Sequence, residues 1–226
     1  MKYKVIITGA TGMIGKGVLL ECLSHPVIDK VLVVNRTKIG MEHPKLQECM
    51  LDDFMQPENI RAELSGYDAC FFCLGVSSVG MDKDLYEKIT FQLTKGFADL
   101  LFELNPGMVF NYVSGTGTDS SEKGSINWAR VKGKTENYIL QKGFGGAWMF
   151  RPGMVIPEKG IRAKTRWYNL IYDLLRPFFP LLQKSATITS TSRLGLAMIQ
   201  TLLAPPQKIH LENPDINQLA KLAAQQ

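Results

Sequence analysis

The chain has 226 residues, a formal net charge of +5 at pH 7 and a hydrophobic fraction of 45%, which suits one substantial core. Its lysines and arginines are spread without blocks, which argues against a nucleic-acid partner and fits an anionic small ligand. The four cysteines, at 22, 49, 70 and 73, do not make a disulfide framework in a chain of this size, and no apolar run reaches membrane-spanning length.

The first element is a strand over Lys4–Thr8 that drops into glycines at 9, 12 and 15 and then into a helix near Lys16–Ser24, with Val18, Leu19, Cys22 and Leu23 in helical period. Strand, glycine turn and helix in that order form the setting of a dinucleotide-binding loop. Gly9 would permit the tight turn, Gly12 would let backbone approach a pyrophosphate, and Gly15 would let helix and strand pack closely. The orphan N–H groups and dipole of the helix N-terminus favour the phosphates. With functional glycines starting so early no signal peptide is expected, and the expected compartment is a reducing cytoplasm.

A second strand, Lys30–Asn35, is a continuous apolar run, as in a parallel strand buried on both faces. It ends about twenty residues after the glycines, where an NAD site carries an acidic residue for the ribose 2′-hydroxyl. Here stand Asn35, Arg36, Thr37 and Lys38. No carboxylate repels a 2′-phosphate there, and the Arg36 fork suits one, so the expected cofactor is NADP(H).

A third strand, Leu46–Leu51, leads to Asp52-Asp53-Phe54, where a carboxylate would either accept from an adenine amine or cap its own turn. A helical stretch follows over Pro57–Leu64. The fourth strand, Ala69–Leu74, ends at Gly75, whose backbone could approach a ribose. Cys70 and Cys73, three apart in this strand, fall on opposite faces, so no metal is expected. The Lys83–Leu104 stretch carries Leu85, Ile89, Leu93, Phe97, Leu100 and Leu101 at helical spacing. A strand over Met108–Val113, a helix over Asn127–Lys142 and a strand over Ala147–Phe150 complete the alternation. The expected class is α/β, a doubly wound, mostly parallel sheet with helices on both faces and a small C-terminal helical extension. Right-handed crossovers put all these loops at the carboxyl edge of the sheet.

Beyond about residue 153 the pattern loosens. Trp167, Leu170, Ile171, Leu174, Leu175 and Phe178 form one face of a helix that Pro177 and Pro180 break, and Arg162, Lys164, Arg166 and Arg176 flank it. The expectation is one domain over 1–226, with 154–226 supplying a lid or substrate surface. A homodimer contact, or a peripheral membrane contact by 167–182, stays open as another use of this segment. Thr191-Ser192 is expected to cap a helix over Leu194–Leu203.

Taken together, Thr8-Gly-Ala-Thr-Gly-Met-Ile-Gly15, Asn35-Arg36, Cys73-Leu-Gly75, Asn111-Tyr-Val-Ser114, Lys132-Gly133 and Phe150-Arg-Pro-Gly153 resemble the atypical short-chain dehydrogenases/reductases. These are NAD(P)-binding proteins of Rossmann fold. The likeness is to the Tat-interacting-protein branch, whose members bind NADPH, and to the epimerase-like relatives, and it covers roughly residues 3 to 155. The resemblance implies that Gly9, Thr11, Gly12, Met13, Ile14 and Gly15 line the pyrophosphate. It implies Arg36 at the 2′-phosphate with Asn35 beside it, Asp53 at adenine, and Leu74 and Gly75 at the ribose. Pro152, Gly153 and Val155 would face the nicotinamide.

Short-chain reductases place a serine at the end of the fifth strand and a Tyr-x-x-x-Lys on the next helix. One helical turn brings that phenol and ammonium together, and the lysine also holds the ribose hydroxyls. Here Ser114 and Lys132 are the catalytic candidates, but Trp128 stands four residues before the lysine. An indole N–H donates a hydrogen bond and exchanges no proton near neutral pH. Three readings follow: an oxidoreductase on a carbonyl or alcohol with another proton source, a sensor or regulator that binds NADPH without turnover, or isomerase-type chemistry. Tyr112, on the face of Ser114 but deeper in the sheet, is a weak substitute for the phenol.

Overall fold

The computed structural model describes residues 2–161, 179–182 and 185–225. The predicted helix face from Trp167 to Phe178, with Arg162, Lys164, Arg166 and Arg176, lies outside these residues. In chain order the elements are β1 Tyr3–Thr8, α1 Met13–Ser24, β2 Ile28–Asn35, β3 Leu46–Met50, a 3₁₀ helix Pro57–Leu64 and β4 Ala69–Phe72. Then come α2 Lys83–Glu87, a π-type turn Lys88–Gln92, α3 Leu93–Leu104, β5 Val109–Val113, α4 Asn127–Gln141, β6 Gly146–Arg151 and β7 Met154–Ile156. The rest is α5 Phe179–Leu182, β8 Ile188–Ser190, α6 Thr191–Leu203, β9 His210–Glu212 and α7 Asn213–Ala223.

Seven strands pair in parallel in the order β3-β2-β1-β4-β5-β6-β9, and β7 and β8 form a small parallel pair apart from them. The order reverses between β1 and β4, whose registered neighbours are Ile7 and Phe71. A crevice outside the carboxyl ends of strands at such a reversal is where open α/β sheets bind ligands.

The apolar runs of β1, β2 and β4 bury both faces of the sheet. Val5, Ile7, Val31, Val33 and Phe71 pack with α1, α6 and α7, while Ile6, Leu32, Val34, Cys70 and Phe72 pack with the 3₁₀ helix and α3. Each fully buried aliphatic side chain contributes about 1.5–3 kcal/mol, so this central strand trio is the anchor of the loops at its edge. Cys70 belongs to one cluster and Cys73 packs against the other, as their spacing predicts. All four cysteines are free thiols.

The structure alters several predicted boundaries. α1 begins at Met13, three residues before the predicted start, because its first turn grows straight out of the glycine loop. It stops at Ser24, since His25 precedes Pro26 and adopts extended backbone (φ −76°, ψ 133°). β4 stops at Phe72, two residues short of the prediction. The helix predicted over Lys83–Leu104 is interrupted by the π-type turn. The cap of α6 is Ser190, not Thr191-Ser192: Ser190 is extended and its side chain accepts from the Arg193 amide at 3.2 Å. Strands β7, β8 and β9 and helix α7 were not predicted. Among the described residues, no helix is long and apolar enough to cross a membrane, and no group of His, Cys, Asp or Glu could hold a metal ion.

Candidate functional site

The glycine loop is shaped by contacts that only hydrogen side chains allow. Gly9 has φ +72°, and a Cβ there would stand 2.7 Å from the Cys73 carbonyl carbon, so the loops after β1 and β4 lie directly against each other. The Leu74 amide donates to Thr8 Oγ1 at 3.3 Å across the same junction. A Cβ on Gly15 would come within 2.3 Å of the Gly9 carbonyl oxygen, which is the close helix–strand packing read from the sequence. Gly12 caps α1 in extended conformation with no side-chain cap, its amide donating to Gly9 O at 2.9 Å. The first-turn amides of Met13, Ile14 and Gly15 have no acceptor within the helix, which suits this end of α1 to an anion.

A cavity of about 610 Å³ opens at this junction, walled by Gly9, Thr11 and Gly12 from the first loop, Asn35 and Arg36 from the second, and Leu74 and Gly75 from the fourth. Seven predicted cofactor residues therefore meet in one place. Two larger cavities, of about 800 and 1110 Å³, lie toward β3 and contain none of them. Among the described residues, none that lines the cavity is acidic. Asn35 is buried and its Nδ2 has no hydrogen-bond partner among the described residues. Arg36, exposed at the same end, makes no hydrogen bond or ion pair with the described residues. A buried donor without a partner costs about 1–3 kcal/mol, a cost that a ligand oxygen at this end would offset.

Asp53 is placed otherwise than the resemblance implies. Its carboxylate accepts from the Met55 amide at 2.9 Å and from Gln56 Nε2 at 3.2 Å, closing its own turn, while the neighbouring Phe54 lines the cavity. Pro152 and Val155 are buried, Val155 within the core, and the Gly153 amide donates to Asn213 Oδ1 at 3.2 Å. None of the three reaches the cavity wall.

Lys132 approaches the cavity from α4. It is 9% exposed, and its Nζ has one hydrogen bond, to Val113 O at 3.4 Å, and lies 5.5 Å from the centroid of the Tyr112 ring. A Cβ on Gly75 would stand 3.8 Å from that Nζ, so the ammonium lies beside Gly75, one of the cavity's wall residues. Burial lowers its pKa from 10.5 to about 8 against the opposing pull of Glu136. Tyr112 is fully buried, which pushes its phenol far up. Trp128 is half-buried with its ring 3.5 Å from where Gly117 would carry a Cβ.

Ser114 is tied to a group that the sequence reading missed. Its Oγ donates to Glu136 Oε1 at 2.5 Å. Glu136 is fully buried, ion-paired with Arg151 and 3.4 Å from His210 Nε2. Burial and Arg151 both lower the His210 pKa. One helical turn separates Lys132 from Glu136 on α4, and that i, i+4 spacing was the available signal.

No family model matches the chain. Protein HTATIP2 of Rattus norvegicus is 27% identical over 227 residues, spanning 96% of this chain and 89% of that protein. Protein fmp52-1, mitochondrial, of Aspergillus terreus is 27% identical over 168 residues, or 72% of this chain and 69% of that one. Among solved structures, MoeE5 in complex with UDP-glucuronic acid and NAD superposes with a TM-score of 0.69 at 16% identity, covering 98% of this chain and 81% of that one. The likeness to Protein HTATIP2 agrees with the Tat-interacting-protein branch of the resemblance, and the solved structure shares the fold.

Proposed function

We propose that the chain binds NADP(H) in the cavity between the β1, β2 and β4 loops and acts as a short-chain-type oxidoreductase on a carbonyl or alcohol. One observation carries the choice of cofactor: among the described residues, the cavity's β2 end holds a buried amide without a partner and a guanidinium, and no carboxylate lines it. That donor set fits a 2′-phosphate, with the Gly12 end of α1 left for the pyrophosphate and Lys132, beside Gly75, for ribose hydroxyls. The MoeE5 complex with NAD supports a nicotinamide dinucleotide in this fold. The test is a fluorescence titration. NADPH should bind at least tenfold more tightly than NADH, and equal affinities would remove the assignment.

A second reading, a sensor that holds NADPH without turning it over, is favoured by Trp128 at the phenol position and by the Ser114 proton directed to Glu136. The two readings separate when NADPH loss is followed with a panel of aldehydes, ketones and quinones. Trp128→Tyr should raise turnover tenfold or more if the site is built for reduction. A lid or partner role for 154–226, and a peripheral membrane contact, belong to the same proposal. The mitochondrial name of one relative gives the cytoplasmic expectation no support.

A further inference from the structure

A carbonyl reduction needs a proton as well as a hydride, and the donors that the resemblance implies are out of use here. Trp128 carries an indole N–H, which donates a hydrogen bond but is far too weak an acid to give up its proton near neutral pH. Ser114 directs its one proton to Glu136, and Tyr112 is sealed in the core. Lys132 is different. Its ammonium has three N–H donors, nine-tenths of the residue is buried, and its single hydrogen bond within the described residues is a long one to Val113 O. Nζ also lies beside Gly75, where a Cβ would stand 3.8 Å from it, and Gly75 lines the cavity.

We propose that Lys132 Nζ is itself the proton donor at this site, in the role that a phenol at position 128 would have held; the proposal rests on the NADP(H) reading above. The substrate carbonyl carbon gains the hydride that reduced nicotinamide supplies, its π pair moves onto oxygen, and that oxygen takes a proton from Nζ. Lys132 is left as a neutral amine that regains a proton from solvent, and the nicotinamide is left oxidised. The groups around Nζ permit this. Tyr112 from β5, whose ring lies beside Nζ, has its phenol raised by burial, so it stays protonated. Glu136 on α4 is claimed by Arg151 from β6 and by Ser114, and His210 from β9 has its pKa lowered. An amine that burial brings down to about 8 can release a proton within a turnover, which a guanidinium cannot.

The experiment compares the full chain with Lys132→Arg and Lys132→Met by three readouts: NADPH binding by fluorescence, ¹⁵Nζ lysine titration by NMR, and NADPH oxidation with the carbonyl panel at pH 6 to 10. The donor must be charged, so kcat should be level below about pH 8 and fall about tenfold per unit above it. One Nζ resonance should titrate near 8 and be missing in Lys132→Arg. That variant should bind NADPH within about tenfold of the parent chain and turn over at least about 100-fold more slowly. Turnover of Lys132→Arg within threefold of the parent overturns the proposal. So does a descending limb near 10, the phenol range, that persists in Lys132→Arg, and so does NADPH binding with no turnover on any carbonyl. In each case NADPH binding still stands, whereas absence of binding by the parent chain sinks the cofactor reading as well. Should Lys132→Arg fail to fold, the parent chain's pH profile and Nζ titration decide the matter.

Discussion

Ser114 gives its hydroxyl proton to Glu136 across 2.5 Å, joining the end of β5 to the middle of α4 through a carboxylate with no solvent exposure. Arg151 closes the same carboxylate from β6. Three elements of the carboxyl edge are thus fastened by one buried charge, which makes Glu136 a structural pivot beside the cavity.

Removing that charge should be costly. Glu136→Gln leaves the Arg151 guanidinium buried without its counter-ion, and breaking a buried pair costs about 3–5 kcal/mol. Urea unfolding should show a lower midpoint at unchanged slope, and Glu136→Gln combined with Arg151→Met should recover part of the loss. A midpoint unchanged in Glu136→Gln would mean that the pair is dispensable.

Gly15→Ala tests the helix–strand contact. The new Cβ would be forced to within 2.3 Å of the Gly9 carbonyl oxygen. Overpacking of this kind costs about 1–3 kcal/mol, a fall in Tm of roughly 3–10 °C for a chain of this size. A thermal melt with and without NADPH would show both the loss of stability and a smaller stabilisation by the nucleotide.

The β2 end should decide between the two nicotinamide nucleotides. Arg36→Ala removes a charge-assisted contact, so NADPH Kd should rise about 10- to 100-fold while NADH changes less than threefold. Asn35→Asp adds a carboxylate facing the same phosphate and should move preference toward NADH. Parallel titrations of both nucleotides check this, and an equal loss for both would place Arg36 elsewhere on the ligand.

Lys132 also predicts a pH dependence of stability. Its folded pKa of about 8 lies below its ordinary 10.5, so between those values the unfolded chain holds more protons than the folded one. Stability relative to Lys132→Met should therefore increase as pH rises from about 8 to 10.5, by about 3 kcal/mol. Below pH 8 the charged lysine is a constant burden, and Lys132→Met should be the more stable protein without nucleotide. Paired denaturation curves from pH 7 to 10 give the difference directly.

The glycine loop, β1, β2, β5 and the 57–64 helical stretch were legible because their signals are local: period, turn residues, an apolar run. The three-residue strands β7, β8 and β9 carry too few residues to show a period, and their pairing depends on distant neighbours. Helix α7 could have been found. Glu212 and Asp215 form a capping box around Pro214, and Ile216, Leu219, Ala220 and Ala223 follow at helical spacing. At the site, the seven wall residues were readable from motif order. Glu136 showed in the sequence only its i, i+4 spacing from Lys132, because the partners that give it a role come from β5 and β6. Asp53 held two readings in sequence, and its bonds to Met55 and Gln56 show the turn.

The unpaired thiols have a practical use. Cys22 and Cys70 have no solvent exposure, and burial pushes Cys73, on the wall of the cavity between the β1, β2 and β4 loops, up to about 12. Since only a thiolate attacks a disulfide reagent, the native molecule should react sluggishly with Ellman's reagent, and each opening of the sheet should register as a burst of colour. A bound coenzyme would further shelter Cys73, turning an ordinary bench reagent into a clock for breathing of the cleft.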